Sequence, residues 1–124
     1  MKYITSTIIA LLLALLLVLF FVGSNSQNYT DEQIINAIYK AEGSEKAKKP
    51  FGILSVPCEG YDSCRQICLN TVKNNRKRYA DYGHKDYDTY LEFLASRYCP
   101  IGADNDPKGL NKNWLKNVRY FLNQ

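Results

Sequence analysis

An unbroken run of fifteen apolar residues, Ile8 to Val22, with Lys2 as the only charge before it, constrains everything that follows in the chain. A run of this kind, ahead of the small residues Gly23, Ser24 and Ser26, has the pattern of a secretory h-region and its cleavage site. Extended by Ile4 to Thr7 and by Gly23, it also approaches the roughly 20 residues that a membrane-spanning helix needs. Two expectations stand side by side: a signal peptide over residues 1–26 that is removed, or an apolar N-terminal helix retained as a membrane anchor through residues 4–23. Either one exports residues 27–124, to the periplasm or the medium in the first case and to the outer face of the inner membrane in the second. About 100 residues then remain, enough for one domain with one modest core.

Export accounts for the cysteines. Cys58, Cys64, Cys68 and Cys99 all lie beyond the apolar run, and an oxidising compartment pairs an even number of them. Four cysteines allow three pairings. Cys64 and Cys68 are one helical turn apart, so a bridge between them would distort the helix that carries them. The spacing therefore predicts Cys58 with Cys64 and Cys68 with Cys99. The same thiols with the single histidine, His84, match no zinc pattern, and no metal or cofactor is expected.

With Lys2 the leader's only charge, the exported part carries 15 of the 16 basic residues and all 12 acidic ones, a net charge of +3. That mild excess is compatible with an anionic polymer such as a cell wall and with an ordinary secreted domain. The basic run Lys73 to Tyr79, "KNNRKRY", reads as a solvated helix face and not as a nucleic-acid contact, and His84 reads as a solvated loop residue.

Helical periodicity dominates the exported part, and the expected fold is mainly α. After the polar linker Asn25 to Tyr29, Thr30 and Gln33 form a capping box. Ile34, Ile35, Ile38 and Ala41 follow at helical spacing, and Gly43 stands where a left-handed stop belongs. Residues 44–50 are a charged loop. Phe51 to Val56, bounded by prolines, is expected as a short strand or an extended buried turn. Ser63 and Gln66 repeat the capping signal for a second helix reaching about Tyr79, with Ile67, Val72 and the cysteines inward. The stripe Tyr87, Tyr90, Leu91, Leu94 and Tyr98 predicts a third helix over Asp86 to Tyr98, and Leu115, Val118 and Leu122 a fourth over Asn111 to Leu122.

There is no Gly-rich phosphate loop and no Ser/His/Asp arrangement, so attention falls on Glu42. A carboxylate in the last turn of a helix meets the negative end of the macrodipole, which disfavours its charged form. Apolar neighbours such as Phe51 and Ile53 would raise its pKa further. A carboxylic acid that stays protonated near neutral pH is what a glycosidase needs to protonate the leaving oxygen of a glycosidic bond. The bland alternative is a surface glutamate paired with Lys46 or Lys48.

The stretch "AEGSEKAKKPFGILS" resembles the lysozyme-like superfamily, in particular the small lytic transglycosylases of bacteria and their phages. There a helix closes on a catalytic glutamate, and a Gly-hydrophobic-hydrophobic-polar segment lines the sugar cleft. The matching residues are Glu42-Gly43 and Gly52-Ile53-Leu54-Ser55, where the family commonly has Glu-Ser and Gly-Leu-Met-Gln. "SRYCPIGADNDPKGLNKNWLKNVRYFL" is similar to the C-terminal part of such proteins. The resemblance implies a small lysozyme-like helical domain, acting as a monomer, with a short extended segment after the catalytic helix. It implies cleavage of peptidoglycan glycan strands with Glu42 as general acid and base.

Ordinary hydrolysis pairs two carboxylates across the scissile bond, and nothing places Glu45, Glu59, Asp62 or Asp104 opposite Glu42. One acid suits a lytic transglycosylase better. Substrate contacts are expected from Ser55, Tyr98, Asn111 and Trp114, polar or flat side chains near element ends. The alternative from another class is a silent module of the same fold that binds cell-wall glycan or a protein.

Overall fold

The computed structural model describes residues 28–53 and 55–124. The leader, including the expected N-terminal helix and its cleavage site, lies outside the described residues, as does Leu54. Among the described residues the protein is mainly helical and contains no strand, and no helix is long and apolar enough to cross a membrane.

Four helices carry the fold: α1 (Asp31–Ala41), α2 (Gly60–Asp81), α3 (Tyr90–Tyr98) and α4 (Trp114–Leu122). Helix α1 begins as its sequence predicts, with the Thr30 side chain accepting from the Gln33 N–H and the Gln33 side chain accepting from the Thr30 N–H. Asp31 and Glu32 in its first turn complement the positive end of the helix dipole. At the other end Glu42 is the C-terminal cap and donates its backbone N–H to the Ile38 carbonyl at 2.9 Å. Gly43 then turns left-handed at φ 99°, a conformation glycine adopts without the steric penalty that a Cβ brings.

Helix α2 starts three residues before the expected Ser63. Glu59 is still extended, Gly60 already begins the helix, and Ser63 and Gln66 lie inside it, where the Gln66 amide donates to Asn70 Oδ1 at 3.0 Å. The third helix is shorter than the aromatic stripe suggests. Its true start is a second capping box, Thr89 with Glu92, and Gly83–Lys85 before it forms a separate 3-10 turn. The expected fourth helix is likewise divided into a 3-10 turn, Leu110–Asn113, and α4.

Helix α1 packs on α2 and α4, and α3 closes the far side against the same two. Ile34, Ile35, Ile38, Val72, Leu94 and Val118 are fully buried between them. Burying side chains of this size contributes about 1.5 to 3 kcal/mol each relative to exposure. Two ion pairs, Glu32 with Arg65 and Asp31 with Arg76, join α1 to α2, and Glu92 with Arg119 joins α3 to α4. The basic run thus contributes Arg76 to the fold, and His84 sits exposed in its turn with Nδ1–H donating to the Tyr79 carbonyl at 3.0 Å.

The described residues of the Phe51 to Val56 segment form no strand. Pro50–Gly52 forms a 3-10 turn in which Phe51 (φ 63°) and Gly52 (φ 66°) are both left-handed, and Ile53 is extended beyond it. Phe51 is held there by packing: it is buried between Tyr39, at 5.0 Å between ring centroids, and Tyr61, at 5.5 Å.

Candidate active site

The reversal at Pro50–Gly52 folds the chain back onto the end of α1 and brings Gly52 against Glu42. A Cβ built on Gly52 would stand 2.5 Å from Glu42 Oε2 and 2.6 Å from its Cδ, far inside contact distance. Only a glycine lets the backbone approach the carboxyl this closely.

On the other side of the carboxyl is Trp114, the first residue of α4, whose indole N–H donates to Glu42 Oε1 at 2.8 Å. Trp114 is 5 % exposed and stacks on Tyr98, with ring centroids 5.1 Å apart and planes 26° apart. The Tyr98 hydroxyl donates to the Phe51 carbonyl, so the same ring that supports Trp114 also fixes the residue before Gly52. Burial pushes the Glu42 pKa above its ordinary value near 4.5, and the indole hydrogen bond offsets part of that rise. Among the described residues Glu42 makes no ion pair with Lys46 or Lys48.

Glu42, Gly52, Ile53, Ser55, Tyr98 and Asn111 line one open cavity of about 370 Å³, together with Thr71, Arg97, Cys99, Pro100 and Asn105. The structure therefore gathers four of the five residues that the sequence singled out. Trp114 does not line the cavity; it stands behind Glu42 in the core and is not placed to stack on a ligand from the cavity. Asn111 is on the wall, but its amide holds the loop together, accepting from the Cys99 thiol at 3.0 Å and donating to the Pro100 carbonyl at 2.8 Å. Asp106 anchors the same loop by accepting from the Leu110 and Asn111 N–H groups at 2.7 and 3.0 Å.

Of the described lining residues only Glu42 carries a carboxyl and only Arg97 a cationic side chain. None of Glu45, Glu59, Asp62 and Asp104 reaches the cavity. Arg97, Asn105 and Thr71 had no signal in the sequence, since each comes from a different element and no motif links them. Gly52 carried one, as the glycine of the resembling segment, but its contact with Glu42 could not be read from spacing.

Cys58 and Cys64 form the expected disulfide, with Cα atoms 5.1 Å apart. The expected second bridge is absent: Cys68 and Cys99 are free thiols. Their neighbours explain why. Cys68 points into the core beside the Tyr98 hydroxyl, 3.6 Å away, while the Cys99 thiol is turned to Asn111. Burial pushes both thiols up to about 11, so neither is a ready nucleophile or metal ligand at neutral pH.

Among the described residues no three His, Cys, Asp or Glu side chains come together as a metal site. Compared with known proteins, the chain matches no family model, and no curated protein or solved structure matches it either.

Proposed function

We propose that this is a lysozyme-like domain that cleaves the glycan strands of peptidoglycan, with Glu42 as its general acid and base. The observation that carries this reading is the setting of Glu42: a half-buried carboxyl at the negative end of a helix, its pKa raised, on the wall of an open cavity. That environment favours the protonated form, which can hand a proton to the oxygen leaving from the anomeric carbon. Ser55 and Asn105 add hydrogen-bonding groups to the same wall, and Arg97 adds a cation for the carboxylates that peptidoglycan carries.

With no second carboxyl among the described lining residues, the reaction that fits is the lytic one. Glu42 protonates the glycosidic oxygen and is left as a carboxylate. It then takes the proton of the sugar's own C6 hydroxyl as that oxygen bonds to the anomeric carbon, producing a 1,6-anhydro end. Export through the apolar leader would put the domain where its substrate is, tethered to the inner membrane if the leader stays.

Digestion of purified peptidoglycan followed by mass spectrometry of the muropeptides tests both parts. The expected products carry 1,6-anhydro ends. Reducing ends in their place would overturn the lytic reaction and make water the nucleophile. Walls left intact would overturn the catalytic reading, and co-sedimentation with those walls would then make the cavity a binding site.

A further inference from the structure

An indole nitrogen carries one hydrogen and offers no lone pair, so it can only donate. In either protonation state of Glu42, the oxygen facing Trp114 must therefore present a lone pair. The carbonyl-type oxygen of a carboxylic acid accepts better than its hydroxyl oxygen, so with the indole N–H on Oε1 a proton on the carboxyl is favoured on the other oxygen. We propose that Trp114 is a positioning residue for Glu42, holding Oε1 as an acceptor so that the acidic proton resides on Oε2, the oxygen against Gly52. The proposal deepens the catalytic reading and rests on it for its consequence in turnover.

Three features support the assignment. Oε2 lies against the Gly52 backbone, where no side chain intervenes, and both residues line the cavity. Trp114 cannot swing away, because it is buried and stacked on Tyr98. Tyr98 in turn bonds the Phe51 carbonyl, so the donor on one side of the carboxyl and the glycine on the other are tied through one ring. Without the indole, no donor would single out Oε1 as the acceptor, and the proton would no longer be held to Oε2 by this bond.

The other titratable groups facing Glu42 do not disturb this arrangement. They are Cys68 from α2 and Tyr98 and Cys99 at the end of α3. Burial pushes both thiols up to about 11 and the phenol well above its ordinary range, so all three are neutral from acidic to mildly alkaline pH. Arg97 is the one cationic side chain among the described residues of the cavity wall.

The chain contains a single tryptophan, so the full-length protein in detergent micelles gives one indole N–H resonance. Its shift can be followed against pH beside the side-chain carboxyl carbon of Glu42. The expected result is one step in the indole shift with the same midpoint as the carboxyl, above 4.5, and no step in Glu42→Gln. In Trp114→Phe the carboxyl midpoint should rise further, because the donor that favoured the carboxylate is gone. The loss of cleavage at alkaline pH should move up with it, and kcat should fall by up to about 10²-fold with KM unchanged.

An indole shift that stays flat while Glu42 titrates, or that moves equally in Glu42→Gln, overturns the proposal. So does an unchanged carboxyl midpoint in Trp114→Phe; if that variant does not fold, the titrations of the parent and of Glu42→Gln decide alone. These readouts need no activity. A protein that titrates as expected and cleaves nothing would overturn the proposed function and leave the proton on Oε2.

Discussion

Among the described residues, two cavities of nearly equal size lie at opposite ends of α1, one of about 380 Å³ beside Tyr29 and Ile34 and one of about 370 Å³ beside Glu42. The first looks at least as well equipped, with Arg76, Arg119, Tyr79 and Tyr90 on its walls. Yet these four side chains are already engaged with protein partners. Arg76 bonds Asp31 and the Tyr29 carbonyl and lies 4.4 Å over the Tyr90 ring; Arg119 bonds Glu92. The Tyr90 hydroxyl donates to the Val72 carbonyl, and the Tyr79 hydroxyl contacts the Tyr87 and Asp88 carbonyls. In the second cavity the carboxyl has one donor, a raised pKa and no cation paired to it. Volume does not separate the two; the state of their ionisable groups does.

The largest effect that can break this contrast comes from removing the carboxyl. Glu42→Gln should lower muropeptide release by about 10² to 10⁴-fold, the usual contribution of general acid-base catalysis. The matching change in the other cavity, Arg76→Met, should leave release unchanged and cost about 1 to 2 kcal/mol of stability in a chemical melt, since it removes charge-assisted bonds and a cation-ring contact on a partly exposed side chain. Equal effects of the two variants on release would dissolve the distinction between the cavities.

Gly52→Ala attacks the same site from the backbone. The new methyl would need the space of Glu42 Oε2 at a left-handed φ, and both effects oppose it. A loss of about 10²-fold in release is expected from displacing the acid, with about 1 to 2 kcal/mol of stability lost through conformation and overpacking. Full activity in Gly52→Ala would show that the carboxyl does not work from this position.

What the sequence made legible follows from the range of the interactions involved. Helix α1, its capping box, its glycine stop and the placing of Glu42 rest on neighbours within four residues, and periodicity reads such features well. The Cys58–Cys64 bridge, six residues apart, was likewise within reach. The Thr89 and Glu92 capping box was present in the chain, but the longer aromatic stripe masked it. The bond from Trp114 to Glu42 spans 72 positions, and nothing local announces it. The same distance blindness misassigned Trp114 to the cavity and Cys68 to Cys99, because a count of cysteines does not tell which way each thiol points.

The pH dependence of stability sharpens the contrast further. Because the folded-state pKa of Glu42 is raised, the folded protein holds its proton to higher pH than the unfolded chain does. Stability associated with this group is therefore fully present below its ordinary value near 4.5 and declines as pH rises through the folded-state pKa. Glu42→Gln lacks that decline. It should match the parent at about pH 4 and melt higher near pH 7 by about 0.3 to 1 kcal/mol, the usual size of a charge opposing a helix dipole. A variant less stable than its parent at pH 7 would mean that the ionised carboxylate supports the fold.

The smallest expected effect concerns backbone strain, which also separates the two ends of α1. Gly43, Ser44, Phe51 and Gly52 all have positive φ and follow Glu42 closely in the chain, whereas no residue lining the first cavity does. Ser44, at φ 55°, is the residue where this strain can be relieved without touching the core or the cavity wall. A left-handed non-glycine residue costs about 1 to 2 kcal/mol. Glycine removes that cost but gives back about 0.5 to 1 kcal/mol through the greater freedom of the unfolded chain. Ser44→Gly should therefore stabilise the protein by about 0.5 kcal/mol, read as a small rise in denaturation midpoint, and leave muropeptide release unchanged. If release falls instead while stability rises, the strained turn after Glu42 contributes to holding the acid in place, and the two ends of α1 differ in backbone as well as in ionisable groups.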